Sequence, residues 1–202
     1  MPKIVMQNAR KKQNIRKKEL INATMSIIHE TGLADPTLAA ISDRAGLSSS
    51  SIVSHYFKNK QELLKETMLD FVGGFLGEMV FRVAAGKSPL EKIYALIDAN
   101  FAPSQCTPEA ISVWMFFWGR VPVNEDFAEI ERTLEKYMIN ELKQALIELV
   151  PDEQVDYFAE SVIAIIYGLW LRFALDPKRI SLETAHKITI DLVHARIGIS
   201  KP

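Results

Sequence analysis

Cysteine is nearly absent from this chain of 202 residues, in which Cys106 stands alone. A single cysteine excludes an internal disulfide and is typical of a protein kept in a reducing compartment. Long apolar runs are also missing, since the longest uncharged one, residues 162–171, is too short to cross a bilayer. The first residues, MPKIVMQNARKK, lack the apolar stretch of a signal peptide. We therefore expect a cytoplasmic protein with no membrane partner.

The motifs of common enzyme classes are missing as well. The sequence has no nucleophile elbow, no His-x-x-x-His pair, no cluster of metal-ligating residues and no dinucleotide fingerprint. Gly73, Gly74 and Gly77 resemble a phosphate-binding motif, but they lie inside a helical pattern with no strand before it. We attribute these glycines to close packing between helices. We expect no catalytic residue, no metal and no cofactor.

Charge is distributed unevenly along the chain. Residues 1–65 contain 11 lysines and arginines against 5 acidic residues, whereas residues 66–202 contain 13 against 20. A basic N-terminal segment on an acidic remainder is typical of a protein whose head alone binds a polyanion. A solvated basic arm would have the same composition. A protein that recruits partners through its acidic part is a further alternative, but it leaves the basic segment unexplained.

Apolar residues recur at helical spacing almost throughout, and strand signals are scarce. The pattern predicts a helix that Gly32 ends, short helices over 37–45 and 49–57, and a long helix from Lys60 to the segment 86–89. Five more helices are predicted over 89–101, 104–120, 125–149, 152–175 and 181–197. The predicted fold is all-α, with a DNA-binding domain over 1–65 and a ligand-binding and dimerisation domain over 66–202.

The two short helices, joined by the turn 46–48, have the proportions of a helix-turn-helix motif. In that motif the second helix enters the major groove, and its N-terminal residues face the base edges. Here four serines open that helix, and their hydroxyls can bond to phosphates or bases. A flexible serine loop is the alternative, which the flanking helices and the local charge argue against. The residues expected to contact DNA are Arg10, Lys11, Thr37, Ser48, Ser49, Ser50, Ser51, Ser54, His55, Tyr56, Lys58 and Lys60.

Residues 15–65 resemble the N-terminal domain of the TetR family of transcriptional repressors. The matching residues are Gly32, Thr37, Ile41, Ala45, Gly46, Leu47, Ser48, His55, Tyr56, Phe57, Lys60 and Leu63. The start MPK, the tetrad SHYF at 54–57 and the segment GLWLR at 168–172 are similar to the BetI subgroup, choline-responsive repressors of glycine-betaine synthesis genes. The resemblance implies a TetR-like fold of about nine helices and a homodimer on a near-palindromic double-stranded DNA operator. It also implies a small-molecule effector and residence in the cytoplasm, on the nucleoid when DNA is bound.

The chain departs from the family pattern by one additional residue between Gly46 and Phe57. One residue rotates a helix by about 100°, which would redirect every base contact. We therefore expect the turn to absorb it, with Ser49 rather than Ser48 capping the second helix.

The resemblance places the dimer interface on the helices predicted over 152–175 and 181–197. These carry an apolar stripe that is wide for one neighbour, although a monomer with a larger core would also use it. Its members are Phe158, Val162, Ile165, Ile166, Leu169 and Phe173, with Ile188, Leu192 and Val193 beside them.

Five aromatic residues are candidates for binding the effector: Trp114, Phe117, Trp118, Tyr167 and Trp170. Aromatic faces attract a quaternary ammonium such as choline or a betaine-type compound, although an aromatic stripe also serves as ordinary core. The BetI subgroup has aspartates at two positions that are Tyr167 and Ala102 here. A sensor of a neutral or apolar molecule is therefore the alternative.

Overall fold

The first helix, α1, extends over Pro2–Glu30 and includes the basic N-terminal segment. It ends where Gly32 adopts a φ of 63°, a left-handed conformation that glycine reaches without strain. The structure is a computed structural model that describes residues 2–32 and 34–198, with side chains from residue 12 onward.

Seven further α-helices and three short 3₁₀ helices follow, and the described residues contain no strand. The α-helices are α2 (Leu38–Arg44), α3 (Lys60–Ala85), α4 (Pro89–Asn100), α5 (Pro108–Trp118), α6 (Glu125–Leu146), α7 (Asp152–Leu175) and α8 (Leu182–Ile197). The 3₁₀ helices are Ser50–His55, Pro103–Gln105 and Val121–Val123. The all-α prediction is confirmed. The helix expected over 104–120 is divided, because Pro108 begins a new helix after a short 3₁₀ turn.

The helices form two compact units, which are described separately. Unit 1 comprises Met1–Gly73 and Pro108–Ile130, and unit 2 comprises Gly74–Thr107 and Glu131–Pro202. The chain passes from one unit to the other inside α3, between Gly73 and Gly74. The functional division expected at residue 65 is a different one, and it stays a prediction.

The N-terminal part of unit 1 has its own small core. Leu20 and Ile27 of α1 meet Ile41 of α2, Phe57 and Leu63, each of them buried. The same unit includes α5, which packs along α1. Two polar contacts join these helices: Nδ1 of His29 lies 2.9 Å from Oγ of Ser112, and Oγ of Ser26 donates to Glu109 over 3.1 Å. The N-terminal part of unit 1, which we call the head, therefore packs on α5, a helix that is distant from it in sequence.

Unit 2 buries most of the stripe that was expected to form the dimer interface. Phe158, Val162, Ile166 and Leu169 of α7 are all at most 5% exposed within the protomer. Helix α7 packs chiefly on α8 and also on α4. These four residues are therefore protomer core, and that part of the interface prediction is wrong. The exposed side of α7 includes Tyr157, Ala164, Gly168, Leu171 and Leu175.

Helix α7 is also the one helix, among residues 2–32 and 34–198, whose length and apolar composition would allow it to cross a membrane. Core helices of soluble proteins meet the same test. Its first turn contains two acidic residues, Asp152 and Glu153, and the helix packs on α8.

The three glycines of α3 do not lie at the close contact between helices that had been predicted. A Cβ atom placed on Gly73, Gly74 or Gly77 would meet nothing within 4 Å, and all three residues are exposed. The prediction that they allow close helix packing is therefore wrong. They weaken the middle of α3, because glycine in a helix interior costs about 1 kcal/mol relative to alanine.

Candidate nucleic-acid interface and effector site

The turn between α2 and the 3₁₀ helix Ser50–His55 depends on local chemistry. Gly46 takes a φ of 67°, and its N–H donates to the carbonyl of Asp43 over 3.1 Å. The chain then extends to Ser49, whose Oγ accepts a hydrogen bond from the N–H of Ser51 over 3.2 Å. The prediction that Ser49 caps the second helix is confirmed. That the turn absorbs the additional residue stays a prediction.

The second helix is wound as a 3₁₀ helix, not as the α-helix that the motif led us to expect. A 3₁₀ helix has three residues per turn, so that residues three apart lie one above the other. Ser51 and Ser54 therefore share a side, and both are exposed. Val53 lies on another side of the helix and is 1% exposed.

Most of the residues predicted to contact DNA are presented together by this segment. Exposed among them are Thr37, Ser48, Ser49, Ser50, Ser51, Ser54, His55 and Lys58. Tyr56 and Lys60 are half-buried, and Tyr56 packs on the core of the head. The side chains of Arg10 and Lys11 lie outside the described residues. The arrangement is a hydroxyl-rich surface with one imidazole, supported from behind by Val53 and Phe57.

Two lysines beside this surface are held by neighbours. Lys17 of α1 places its Nζ 5.2 Å from the ring centroid of Phe57, which is a cation–π contact. Lys60, the first residue of α3, donates from Nζ to Oδ2 of Asp35 over 2.7 Å. Asp35 also accepts a hydrogen bond from Arg120. Lys60 first, and Arg120 second, hold the pKa of Asp35 below its usual value, so this carboxylate stays ionised.

The predicted effector residues of unit 1 lie on α5 and make an aromatic cluster. The Trp114 ring contacts Phe71 edge-on, with centroids 4.9 Å apart, and lies 5.5 Å from the Trp118 ring. Phe117 is fully buried, and its ring packs perpendicular to that of Phe127 with centroids 5.1 Å apart. Phe117 therefore has the surroundings of a core residue, whereas Trp118 is half-buried.

The predicted effector residues of unit 2 lie on α7 and have polar partners. The Tyr167 hydroxyl donates to Oε1 of Glu131 over 3.1 Å. Burial, and next the Glu131 carboxylate, raise the pKa of Tyr167 well above its usual range, so the hydroxyl keeps its proton. The Trp170 side chain forms a hydrogen bond with Cys106. Burial raises the pKa of the Cys106 thiol to about 11. Cys106 is therefore a neutral thiol near pH 7.

The residues that sequence reasoning missed are Asp35, Arg120 and Glu131. Each is a charged residue whose partner is distant along the chain. Asp35 is 25 residues from Lys60 and 85 from Arg120, and Glu131 is 36 from Tyr167. Periodicity and motif spacing carry no signal for such pairs.

The chain is similar to known transcriptional regulators over both its N-terminal and its C-terminal parts. Residues 20–67 match the family described as bacterial regulatory proteins of the tetR family. Residues 89–198 match the family described as BetI-type transcriptional repressor, C-terminal.

Relatives of similar length support both matches. The HTH-type transcriptional regulator BetI of Vibrio vulnificus is 34% identical over 199 residues, which cover 98% of this chain and 97% of the relative. The regulator BetI 1 of Chromohalobacter salexigens is 34% identical over 201 residues, covering 99% and 96%.

Solved structures share the fold at lower identity. A TetR transcription regulator from Haloarcula marismortui matches with a TM-score of 0.79 and 23% identity, covering 91% of this chain and 98% of the other. A Saccharomonospora viridis protein solved in complex with choline matches with a TM-score of 0.77 and 15% identity, covering 88% and 95%.

Proposed function

Because this chain belongs to the TetR family of helix-turn-helix transcriptional regulators, with a BetI-type C-terminal domain, we propose that it is a ligand-responsive repressor. In this proposal a homodimer presents two heads to a near-palindromic operator, and a small effector bound by the C-terminal domain changes the affinity for DNA. The effector is choline or a betaine-type compound, with a neutral or apolar molecule as the alternative.

The exposed surface of the second helix carries the proposal for DNA. Ser51 and Ser54 project from one side of a short helix that Val53 anchors in the core, and Ser50 and His55 are exposed as well. Short hydroxyl side chains allow the helix to approach the major groove closely, and they can bond to bases of either type. An exposed hydroxyl surface on a rigid support suits base reading better than it suits a mobile linker.

A stripe along α7 supports the proposal of a homodimer. Tyr157 and Leu175 are 70% and 68% exposed. Ala164, Gly168, Leu171 and Leu175 are exposed and recur at three- and four-residue spacing, and exposed Tyr157 lies seven residues, or two turns, before Ala164. This is the spacing of a helix–helix seam, and small residues in its middle allow two helices to approach closely. Ile188 on α8 is exposed as well.

A carboxylate next to a predicted effector residue supports a cationic effector. The aspartates of the BetI subgroup are absent at 102 and 167, but Glu131 lies within hydrogen-bonding distance of Tyr167. A carboxylate and an aromatic ring together attract an ammonium ion more strongly than rings alone. Glu131 is thus our candidate for the counter-charge that the family places elsewhere.

The test of DNA binding is a gel-shift titration with fragments of the promoter upstream of the chain's own gene and of neighbouring genes. We expect a shifted fragment whose footprint contains two half-sites about 34–36 Å apart or a multiple of that distance. Binding should weaken steeply as salt is raised, because phosphate contacts release counterions. If no fragment shifts at low salt, the proposal fails.

A further inference from the structure

Asp35 is the meeting point of two cations from different helices of unit 1. It lies in the segment before α2, and its side chain is 49% exposed. Its Oδ2 accepts from Nζ of Lys60 over 2.7 Å, and its Oδ1 accepts from the guanidinium of Arg120. One carboxylate thus connects the first residue of α3 with a residue just after α5.

Arg120 is held in place by three contacts, two of them with Phe116. Its guanidinium lies 3.5 Å from the ring centroid of Phe116, and Nη1 donates to the Phe116 carbonyl over 3.0 Å. The third contact is the ion pair with Asp35. The position of Arg120 therefore follows that of the C-terminal end of α5, the helix that carries Trp114 and Trp118.

We propose that Asp35 competes with the DNA backbone for Lys60, and that Arg120 controls the strength of this competition. The inference rests on the proposed function and on the prediction that Lys60 contacts DNA, which we take to be a contact with a phosphate. To make that contact, Lys60 has to leave Asp35. With Arg120 in place, part of the Asp35 charge is neutralised and Lys60 is more easily released. When Arg120 is withdrawn, Asp35 holds Lys60 more strongly and DNA affinity falls.

This mechanism gives two substitutions opposite effects. Asp35→Asn releases Lys60 and removes a negative charge facing the backbone, so affinity for DNA should rise about 3- to 10-fold per head. The slope of log affinity against log salt should steepen by up to about 0.9 per head, because in the wild-type complex Asp35 still holds Lys60 part of the time and the phosphate contact is incomplete. Arg120→Gln leaves Asp35 entirely to Lys60, so affinity should fall. If the network served only to stabilise the head, both substitutions would weaken binding.

A second ion pair of the same head supplies matched controls. Glu30 and Arg44 pair with each other at the surface. Glu30→Gln and Arg44→Gln therefore change the charge of the head by the same amounts as the two test variants without touching Lys60. We expect Asp35→Asn to exceed Glu30→Gln in both affinity and salt slope, and Arg120→Gln to lose more affinity than Arg44→Gln. When Arg120→Gln is added to Asp35→Asn, it should lower the affinity for DNA by no more than Arg44→Gln does, because Asp35 no longer holds Lys60.

The experiment is a fluorescence-anisotropy titration of the full chain with two duplexes, the promoter fragment selected by the wild type and a random-sequence duplex, at a series of salt concentrations. Circular dichroism shows whether each variant is folded. If Asp35→Asn does not fold, the comparison of DNA affinity between Arg120→Gln and Arg44→Gln decides. Equal affinities and slopes for Asp35→Asn and Glu30→Gln, or weaker binding by Asp35→Asn, would overturn the proposal. Lys60→Ala with unchanged binding would overturn it too. A wild type that binds neither duplex would instead refute the proposed function.

Discussion

Tyr167 donates its hydroxyl hydrogen to the Glu131 carboxylate across 3.1 Å, which joins α7 to α6 within unit 2. The contact pairs the aromatic residue directly before the segment 168–172, which is similar to the BetI subgroup, with an acid that no motif identified. It is the basis of the first prediction. If the effector is a cation, we expect this carboxylate to attract it more strongly than any of the aromatic rings does.

We predict that Glu131→Gln weakens choline binding about 10-fold, because a charge-assisted contact is lost while the aromatic rings remain. Tyr167→Phe keeps the ring and should have a smaller effect. Isothermal titration calorimetry with choline, glycine betaine and the neutral carbon isostere of choline checks both. Rings contribute about 0.5–2 kcal/mol each, so wild-type dissociation constants should lie at high micromolar to millimolar values, about −4 to −6 kcal/mol.

The neutral isostere decides between the two effector classes. It should bind the wild type and the Glu131→Gln variant equally, since it has no charge for the carboxylate to attract. Equal affinity of the wild type for choline and for the isostere would eliminate the cation site and favour the apolar alternative. Absence of binding by all three compounds would eliminate the choline and betaine proposal.

The second prediction separates the dimer interface from the protomer core. Ala164 is exposed on the α7 stripe, so Ala164→Arg should yield folded monomers by placing a charge and a long side chain in the seam. Leu169 is 5% exposed inside unit 2. Leu169→Asp should therefore unfold or aggregate the protomer and not simply separate two of them.

Light scattering gives the mass of each variant, and circular dichroism gives its thermal unfolding. Gln144→Arg, at an exposed position of α6, is the control for an added charge away from the stripe. A wild type that is monomeric at micromolar concentration would refute the homodimer, and a dimeric Ala164→Arg variant would move the interface to another surface.

The third prediction concerns the glycines of α3. Since a Cβ at Gly73 or Gly77 would meet nothing within 4 Å, alanine there should stabilise the protein by about 0.5–1 kcal/mol per site. For a chain of this size that corresponds to a rise in Tm of about 2–4 °C per kcal/mol. Gly46→Ala is the contrasting variant, because its φ of 67° is unfavourable for any side chain. It should lower Tm.

Differential scanning calorimetry of the three variants tests this reasoning. A lower Tm for both Gly73→Ala and Gly77→Ala would mean that the exposed face of α3 is covered in solution, for example by another protein surface. In that case the glycines would serve close packing after all, against that other surface and not against a helix of the same protomer.

Local chemistry explains which features could be predicted from the sequence. The helix-turn-helix, the Gly46 turn and the Ser49 cap follow from residues within a few positions of one another, and all were predicted. The ion pairs of Asp35 and the contact between Glu131 and Tyr167 depend on how distant segments pack, which periodicity does not encode. The glycines of α3 and the α7 stripe were misassigned for a related reason. An apolar or small residue has the same pattern whether its neighbour is the protomer's own core or solvent.

The last prediction addresses how DNA is read. Ser51 and Ser54 lie on one side of the 3₁₀ helix, both exposed, and are the hydroxyls best placed to meet base edges. Ser51→Ala or Ser54→Ala should change which operator sequence is preferred, at a cost of about 1–3 kcal/mol for the original site. Lys58→Ala and Tyr56→Phe should instead weaken binding to all sequences about equally, as lost phosphate contacts do.

Selection of bound duplexes from a randomised library, repeated for each variant, separates the two classes. Ser49→Ala is the structural control, because it removes the helix cap and should lower stability by about 1 kcal/mol. Its effect on DNA affinity should follow its effect on Tm, whereas Ser51→Ala should leave Tm unchanged, since its hydroxyl only contacts Ser49. If the serine variants select the same sequences as the wild type, base reading belongs to His55 or to the N-terminal segment, and the hydroxyl surface serves only to approach the backbone.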